Sequence, residues 1–262
     1  MKPQYADFSR MTPPESHLMF RFARTTFPLQ GLSPHSLLHP THYHMQNLSK
    51  FILLLLAALA VACSPSTEGK QVDVEEATDV ADVSATDTLS VNTEASIIHW
   101  KGTEPGDEGH SGIISLKSGE LYVDGAELTG GQFVIDMLSI NVTDLEGGKK
   151  AKLEGHLMTS DFFESTTYPE GTFTIAGIEA ADGDSTATHY LTGNLALKDS
   201  IKSITIPASI SMDEAGLMAE TPAFTIDRTQ WGVMYKSGVI GTVADNLIDD
   251  QIGLQIKLVA TK

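Results

Sequence analysis

Ser203-Ile-Thr-Ile-Pro-Ala-Ser-Ile-Ser-Met212 alternates almost without fault. Ile204, Ile206, Ala208, Ile210 and Met212 face one way; Ser203, Thr205, Pro207, Ser209 and Ser211 face the other. Successive side chains of a strand point to opposite faces, so a period of two marks a strand with one buried side. Residues 250–260 repeat the pattern, with Ile252, Leu254, Ile256, Leu258 and Ala260 against Gln251, Gly253, Gln255, Lys257 and Val259. Weaker runs occupy 97–102, 112–117, 119–125, 131–142, 171–179, 189–198 and 217–227. Turn signals are expected at Lys117-Ser-Gly119, Asp124-Gly125, Thr129-Gly-Gly131, Asp182-Gly-Asp184 and Asp213-Glu-Ala-Gly216. No long helical pattern alternates with these runs, which disfavours a parallel sheet. The pattern predicts an all-β fold of about eight or nine antiparallel strands, as a sandwich or a closed barrel. Closure would remove the exposed edges of a long sheet.

One stretch breaks the alternation. Residues 153–169 read Leu-Glu-Gly-His-Leu-Met-Thr-Ser-Asp-Phe-Phe-Glu-Ser-Thr-Thr-Tyr-Pro. The apolar spacing of Leu157, Met158, Phe162, Phe163 and Tyr168 suits a helical turn followed by a tight bend. Within the non-strand insert at 143–169 it carries the expected helix, and it reads as a lid over an open end of the strands. His156 is expected to hold that lid by a hydrogen bond to backbone.

The chain has 262 residues and a formal charge of −17. Such acidity argues against nucleic acid, whose phosphates call for Lys and Arg. It argues equally against a general electrostatic grip on anionic lipid heads. Lys50 precedes a twelve-residue apolar run, 51–62, that ends at Cys63, the one cysteine. Twelve residues at about 1.5 Å each cannot cross a hydrocarbon core of roughly 30 Å, but they fit the apolar region of an export signal. The small residues before Cys63 resemble a bacterial lipoprotein signal, in which that cysteine carries the lipid. The leucine usual three residues before the cysteine is Ala60 here, with Leu59 one further back.

Residues 45–62 are therefore expected to be the signal peptide, with Met45 as the start and 1–44 as a misassigned extension. Residues 1–62 hold five Lys/Arg and two Asp/Glu, so 63–262 carry 12 against 32, a formal −20. Residues 63–93, acidic and without aromatics, read as a flexible tether, because they offer little apolar surface to offset the entropy of ordering. The remaining 94–262 form the β-domain. With a single cysteine, no intrachain disulfide is available to it.

Within that domain, Gly131-Gln-Phe-Val-Ile-Asp-Met-Leu-Ser-Ile140, Lys152-Leu-Glu-Gly-His-Leu-Met-Thr-Ser-Asp-Phe-Phe163, Tyr168-Pro169 and Thr172-Phe173 resemble the YceI-like domain family. So do Leu191-Thr-Gly-Asn-Leu-Ala-Leu-Lys198 and Phe224-Thr-Ile-Asp-Arg-Thr-Gln-Trp-Gly232. The resemblance implies a lipocalin-like, eight-stranded antiparallel β-barrel, exported to the periplasm or beyond. It also implies a polyisoprenoid or other long apolar ligand inside the barrel. The expected ligand-facing residues are Phe133, Ile135, Met137, Leu157, Phe162, Phe163, Tyr168, Phe173, Leu195, Ile206, Phe224 and Trp231. Leu197, Ile204, Ile210, Leu254 and Ile256 join the inward set. The same alternation fits a filled, dry barrel, and periodicity alone does not separate the two.

Chemistry has little foothold in the sequence. The four histidines of the β-domain, His99, His110, His156 and His189, form no close-spaced metal motif, and no serine nucleophile elbow occurs. Ser111 follows His110, but neighbours on a strand face opposite ways. Asp249-Asp250 and Asp182/Asp184 read as solvated turn residues. Arg228 could meet a ligand's polar head with Trp231 beside it, or form a rim ion pair over a core aromatic. The resemblance together with the export signal implies a membrane-anchored lipid-binding protein of the cell envelope, expected to be neither an enzyme nor a cofactor protein and to be attached through an acylated Cys63. A metal-assisted hydrolase using the cavity and a structural lipoprotein with a filled barrel are the alternatives.

Overall fold

A computed structural model describes residues 69–104, 106–241 and 247–262. The expected extension, signal peptide and Cys63 lie outside these residues. Strands β1 (Lys70–Gln71), β2 (Val74–Glu76) and β3 (Asp87–Val91) come first. β4 (Ile97–Glu104), β5 (Asp107–Ile114), β6 (Leu116–Asp124), β7 (Glu127–Asp136) and β8 (Asn141–Val142) follow. Helix α1 (Gly147–Leu157) precedes β9 (Glu170–Ala180), β10 (His189–Leu197) and β11 (Ser200–Met212). β12 (Gly216–Glu220), β13 (Phe224–Asp227) and β14 (Gln251–Thr261) complete the set.

These segments close into an eight-stranded antiparallel barrel. β3 and β4 act as one bent strand, as do β5 and β6, and β12 and β13. Around the ring the order is β3/β4, β5/β6, β7, β9, β10, β11, β12/β13 and β14. β14 completes the circle by pairing with β12 and β13 on one edge and with β3 and β4 on the other. No barrel edge is left free along β14, which is how an antiparallel sheet escapes edge-to-edge association.

The period-two runs form strands as their alternation requires, and two of the expected turns do not. Lys117-Ser-Gly119 lies inside β6, where the register with β7 shifts between Leu116 and Ser118. Thr129-Gly-Gly131 lies inside β7. There Gly131 brings its backbone against β6: a Cβ would come within 2.7 Å of Leu121 Cδ2. Glycine marks bulges and close backbone approach in strands as often as it marks turns. The run at 131–142 ends at Asp136, whose carboxylate accepts the Leu138 N–H and caps a 3-10 turn at Met137–Ser139. The run at 217–227 is cut at 221–223, where the chain passes from β12 to β13. Asp184 is no idle turn residue either. Its carboxylate accepts from the Thr186 hydroxyl and N–H and from the Tyr190 hydroxyl, which lowers its pKa to about 2.

The larger departure concerns 63–93. From Lys70 onward this stretch is stitched to the barrel. β3 pairs with β6 and β14, and Leu89 is 1% exposed. β1 pairs in parallel with β13, and β2 pairs with the β11 edge at Lys202–Ile204. β12 reaches β11 only at Ser209–Met212 and β13 pairs with β14 and β1, so a seam opens between β11 and β13. The strap at 70–78 fills it. Val72 is buried, Lys202 pairs with Glu76, and the Asn194 side-chain amide exchanges two hydrogen bonds with the Thr78 backbone. A few well-spaced apolar residues order the acidic stretch because an existing sheet edge supplies their partners.

Leu89→Ala is expected to cost about 2–5 kcal/mol by urea unfolding, the range for truncating a buried leucine. A free tether at this position would leave stability unchanged.

Candidate functional site

The barrel is not filled. It holds a cavity of about 660 Å³, within the roughly 300–1,000 Å³ usual for small-molecule sites. The wall is built from the inward faces of the strands. Phe133, Leu197, Ile252, Leu254 and Ile256 line it and remain half-exposed, because they face a void instead of one another. A filled barrel would bury these side chains, so the alternative of a dry core is set aside.

Two aromatic residues shape the wall through glycines. Phe133 and Phe173 face each other in the β7–β9 register and stack at 6.3 Å. The far end of the Phe173 ring reaches over Gly193 of β10, where a Cβ would stand 2.3 Å from Cζ. Trp100 lies likewise over Gly112 of β5, where a Cβ would stand 2.6 Å from the indole. Absence of a side chain on one strand lets the ring on its neighbour recline along the wall and leaves the lumen open.

The mouth is covered from two sides. Leu153, His156 and Leu157 share one face of α1 and line the cavity. Spacing of three and four residues puts them on one helical stripe. Glu154 accepts the Val142 N–H at 2.9 Å and Lys150 reaches Asn141 at 2.6 Å, which docks the helix on β8. Beyond the helix, Phe163 N–H bonds the Leu157 carbonyl and Ser165 N–H bonds that of Met158. These bonds fold Phe162 and Phe163 back onto the cavity.

The second cover is the segment between β13 and β14, which contributes Val233, Tyr235 and Ile248. His156 joins the two covers. Its ring meets Tyr235 at 4.9 Å and Phe162 at 5.0 Å, both edge-on, and Nε2 lies 2.9 Å from Asp161 Oδ2. Its partners are a carboxylate and two rings, where a backbone bond was expected.

Arg228 holds the second cover in place. It is 4% exposed. Nε donates to the Asp249 carbonyl, Nη1 to that of Val233, and Nη2 to that of Ile248 and to Asp250 Oδ1. Burial lowers its pKa, and the charges of Asp250, Asp227 and Asp249 oppose that effect. Asp250 is thereby a buried arginine's counter-ion, where a solvated turn residue was expected. Trp231 is fully buried and donates Nε1–H to the Leu195 carbonyl at 2.9 Å. Of the two sequence readings, the structure favours a paired arginine over a core aromatic. The guanidinium is occupied by its own loop and is not turned to a ligand head.

Of the twelve residues expected to face a ligand, eleven line the cavity: Phe133, Ile135, Met137, Leu157, Phe162, Phe163, Phe173, Leu195, Ile206, Phe224 and Trp231. Tyr168 does not; it is half-buried in the return to β9, with its N–H on the Glu164 carbonyl. Ile210 is also absent from the wall and is partly buried against the core. Trp100 and Tyr235 were missed. Trp100 shares the parity of Ile98 and Gly102 on β4, so the alternation contained the signal; Tyr235 sits in an irregular segment with no period to read.

His110, on the cavity wall, pairs with a carboxylate. His110 Nδ1 lies 2.8 Å from Asp144 Oδ2, and Asp144 Oδ1 accepts the Ser111 N–H. Desolvation pulls the Asp144 pKa up, and the bonds from His110 and Ser111 together outweigh it and bring it below 3.8. Among the described residues no group of three His, Cys, Asp or Glu is placed to hold a metal. No described helix is long and apolar enough to cross a membrane.

The YceI-like domain matches residues 81–260, more than two-thirds of the chain. The chain belongs to this family. The match begins inside the stretch read as a tether, in agreement with the place of β3 in the barrel. Among solved structures, BcnA of Burkholderia cenocepacia aligns with a TM-score of 0.51 and 21% identity, over 65% of this chain and 99% of that one. A polyisoprenoid binding domain from Saccharophagus degradans, implicated in plant cell wall breakdown, aligns at 0.47 and 15% identity, over 66% and 97%. The Campylobacter jejuni YCEI protein aligns at 0.43 and 19%, over 72% and 92%. No curated protein gives a significant match.

Replacing Arg228 by Met would strand the carbonyls of Val233, Ile248 and Asp249 and leave Asp250 unpaired. Loss of one partner of a buried pair costs about 3–5 kcal/mol. Hydrogen exchange should quicken in 233–241 and 247–250 while β9 and β10 stay protected; uniform loosening of the barrel would contradict this role.

Proposed function

We propose that this YceI-like protein binds a polyisoprenoid or similar long apolar molecule inside its barrel and carries or stores it at the cell envelope. The observation that supports this reading most is the cavity: about 660 Å³, walled along its length by aliphatic and aromatic side chains, and covered by two separate segments. Each methylene moved from water into such a wall contributes about 0.8 kcal/mol. A flexible, unbranched chain can present many such groups through one mouth. Most of the wall is aliphatic or aromatic, which favours a carrier over a hydrolase.

The apolar run at 51–62 before Cys63 supports attachment to a membrane through an acylated cysteine, on the periplasmic or outer-membrane side. More than one acyl chain makes such attachment stable, since a single chain gives only marginal binding.

Native mass spectrometry of the full chain, followed by organic extraction, is expected to release an apolar mass, and stripped protein is expected to take up added polyprenol. Ile256→Trp, which places an indole in the lumen, should fold and lose that uptake. A clean apo mass with no uptake would overturn the carrier reading. Independently, Cys63→Ala should move the protein from the membrane to the soluble fraction; unchanged partition would overturn the anchor.

A further inference from the structure

We propose that one end of the barrel carries a membrane-docking rim, and that its partner is a bilayer of lipids without net charge. This rests on the carrier and anchor readings and adds the face by which the protein meets the membrane. Among the described residues, the four most exposed large aliphatic side chains are Val239 at 71%, Ile240 at 60%, Ile201 at 53% and Leu138 at 52%. Single exposed apolar residues are ordinary on a protein surface; several gathered in one region mark a contact site. Strand register puts all four at the same end. Leu138 follows the Asp136–Glu170 pair that ends β7. Ile201 pairs with Ala196 and so lies level with Thr172, near the start of β9. Val239 and Ile240 lie on the segment between β13 and β14. This is the end that carries both covers. Met218, less exposed, pairs with Val259 toward the opposite end.

Their exposure is built into the local structure. The Val239 N–H donates to the Ser237 hydroxyl at 3.1 Å, and Ser237 is itself fully buried. That bond caps the 3-10 turn at Gly238–Ile240. Leu138 is held in the same way, with its N–H on the Asp136 carboxylate at 3.0 Å. In each turn the cap lies two residues before an apolar side chain that is left facing outward. Ile201 stands on the outward face of β11, which continues as Ser203, Thr205, Pro207, Ser209 and Ser211. An isoleucine at the mouth end, and no aliphatic residue further along that face, marks a change in what the strand meets.

Three observations favour a bilayer as the partner. Rim and lumen are close in the chain: the wall residues Met137, Leu197 and Lys236 precede Leu138, Ile201 and Val239 by one, four and three positions. A hydrocarbon chain passing between a docked bilayer and the lumen would cross little water. The leash is also short. The chain is stitched to the barrel from Lys70, so only six residues separate Cys63 from Gly69, and at 3.3–3.6 Å each they span at most about 22 Å. Gly69 is pressed against the start of β13, where a Cβ would stand 2.6 Å from Ala223 C and Phe224 N. The far end of β13 leads into the segment that bears Val239, so an acylated Cys63 holds the rim within reach of the membrane. Charge selects the lipid. Residues 63–262 carry 32 acidic side chains against 12 basic ones, and Asp161 and Asp199 are exposed at this same end. An anionic surface would repel them, whereas a contact through aliphatic side chains needs no charge.

The test places the acylated full-length protein on vesicles of phosphatidylcholine brominated along its acyl chains, which quench tryptophan on contact. Val239→Trp and Ile201→Trp are expected to lose emission relative to unbrominated vesicles, and Met218→Trp to keep it, each read against the wild-type background of Trp100 and Trp231. A second measurement follows polyprenol uptake. Combining Leu138→Ser, Ile201→Ser, Val239→Ser and Ile240→Ser should slow uptake from vesicles at least about tenfold, the factor that burial of even one such side chain supplies. Uptake of polyprenol dispersed from ethanol should stay within about twofold, which also shows that the variant folds. Unquenched tryptophan at 239 and 201 on anchored protein would overturn the inference, as would equal quenching at 218 or unchanged vesicle uptake by the fourfold variant. An unquenched rim on a chain that sediments as a dimer would assign this face to a second copy and overturn it as well. Protein that stays off the vesicles would defeat the anchor and the docking together. Wild type that takes polyprenol from neither source would defeat the carrier reading, and the quenching would still decide the docking.

Discussion

Strand β14 has partners along both edges, and the rest of the molecule depends on that. β12 and β13 share one side; β3 and β4 share the other. Closing a sheet on itself pairs backbone donors and acceptors around the ring without a second layer. The barrel can then keep its shape around a space, since its integrity rests on main-chain ladders and not on a packed centre. One seam remains, between β11 and β13, and the strap at 70–78 closes it.

The lumen also bears on how the covers are made. A cover over a void has little apolar core of its own to hold it. Here the two covers are fixed by polar devices placed behind them: Glu154 and Lys150 on β8 for α1, and Arg228 on three carbonyls for the β13–β14 segment. Their apolar residues are thereby left for the cavity. A buried arginine held by three carbonyls and a carboxylate is a structural clamp, since removing an acceptor leaves a buried donor unpaired.

The sequence made the barrel legible wherever one face meets lumen and the other meets water. Residues 203–212 and 250–260 alternate for that reason, and their registers follow. Legibility failed where glycine was used for proximity instead of turning, as at Gly119, Gly130 and Gly131. It failed again at 70–91, where Val72 and Leu89 are too sparse to form a pattern and gain their burial from sheet edges far away in the chain. The twelve expected wall residues were read from parity and family motifs, and Tyr168 fell outside because the return to β9 obeys neither. Arg228 was seen, but its partners were not, because backbone carbonyls twenty residues away leave no mark on a sequence.

The strap has a mechanical consequence. A pull arriving along the chain from before residue 69 meets a two-residue ladder on β13 first, then Val72, then three residues on β11. These contacts are loaded one after another, as in peeling tape. The barrel strands behind them are bound along much longer ladders and share load across many bonds. Tension would therefore be spent on the strap, which lengthens the chain and slackens the pull before the closed ring bears it. The seam is where the molecule yields, and yielding there leaves the ring itself shut at β14.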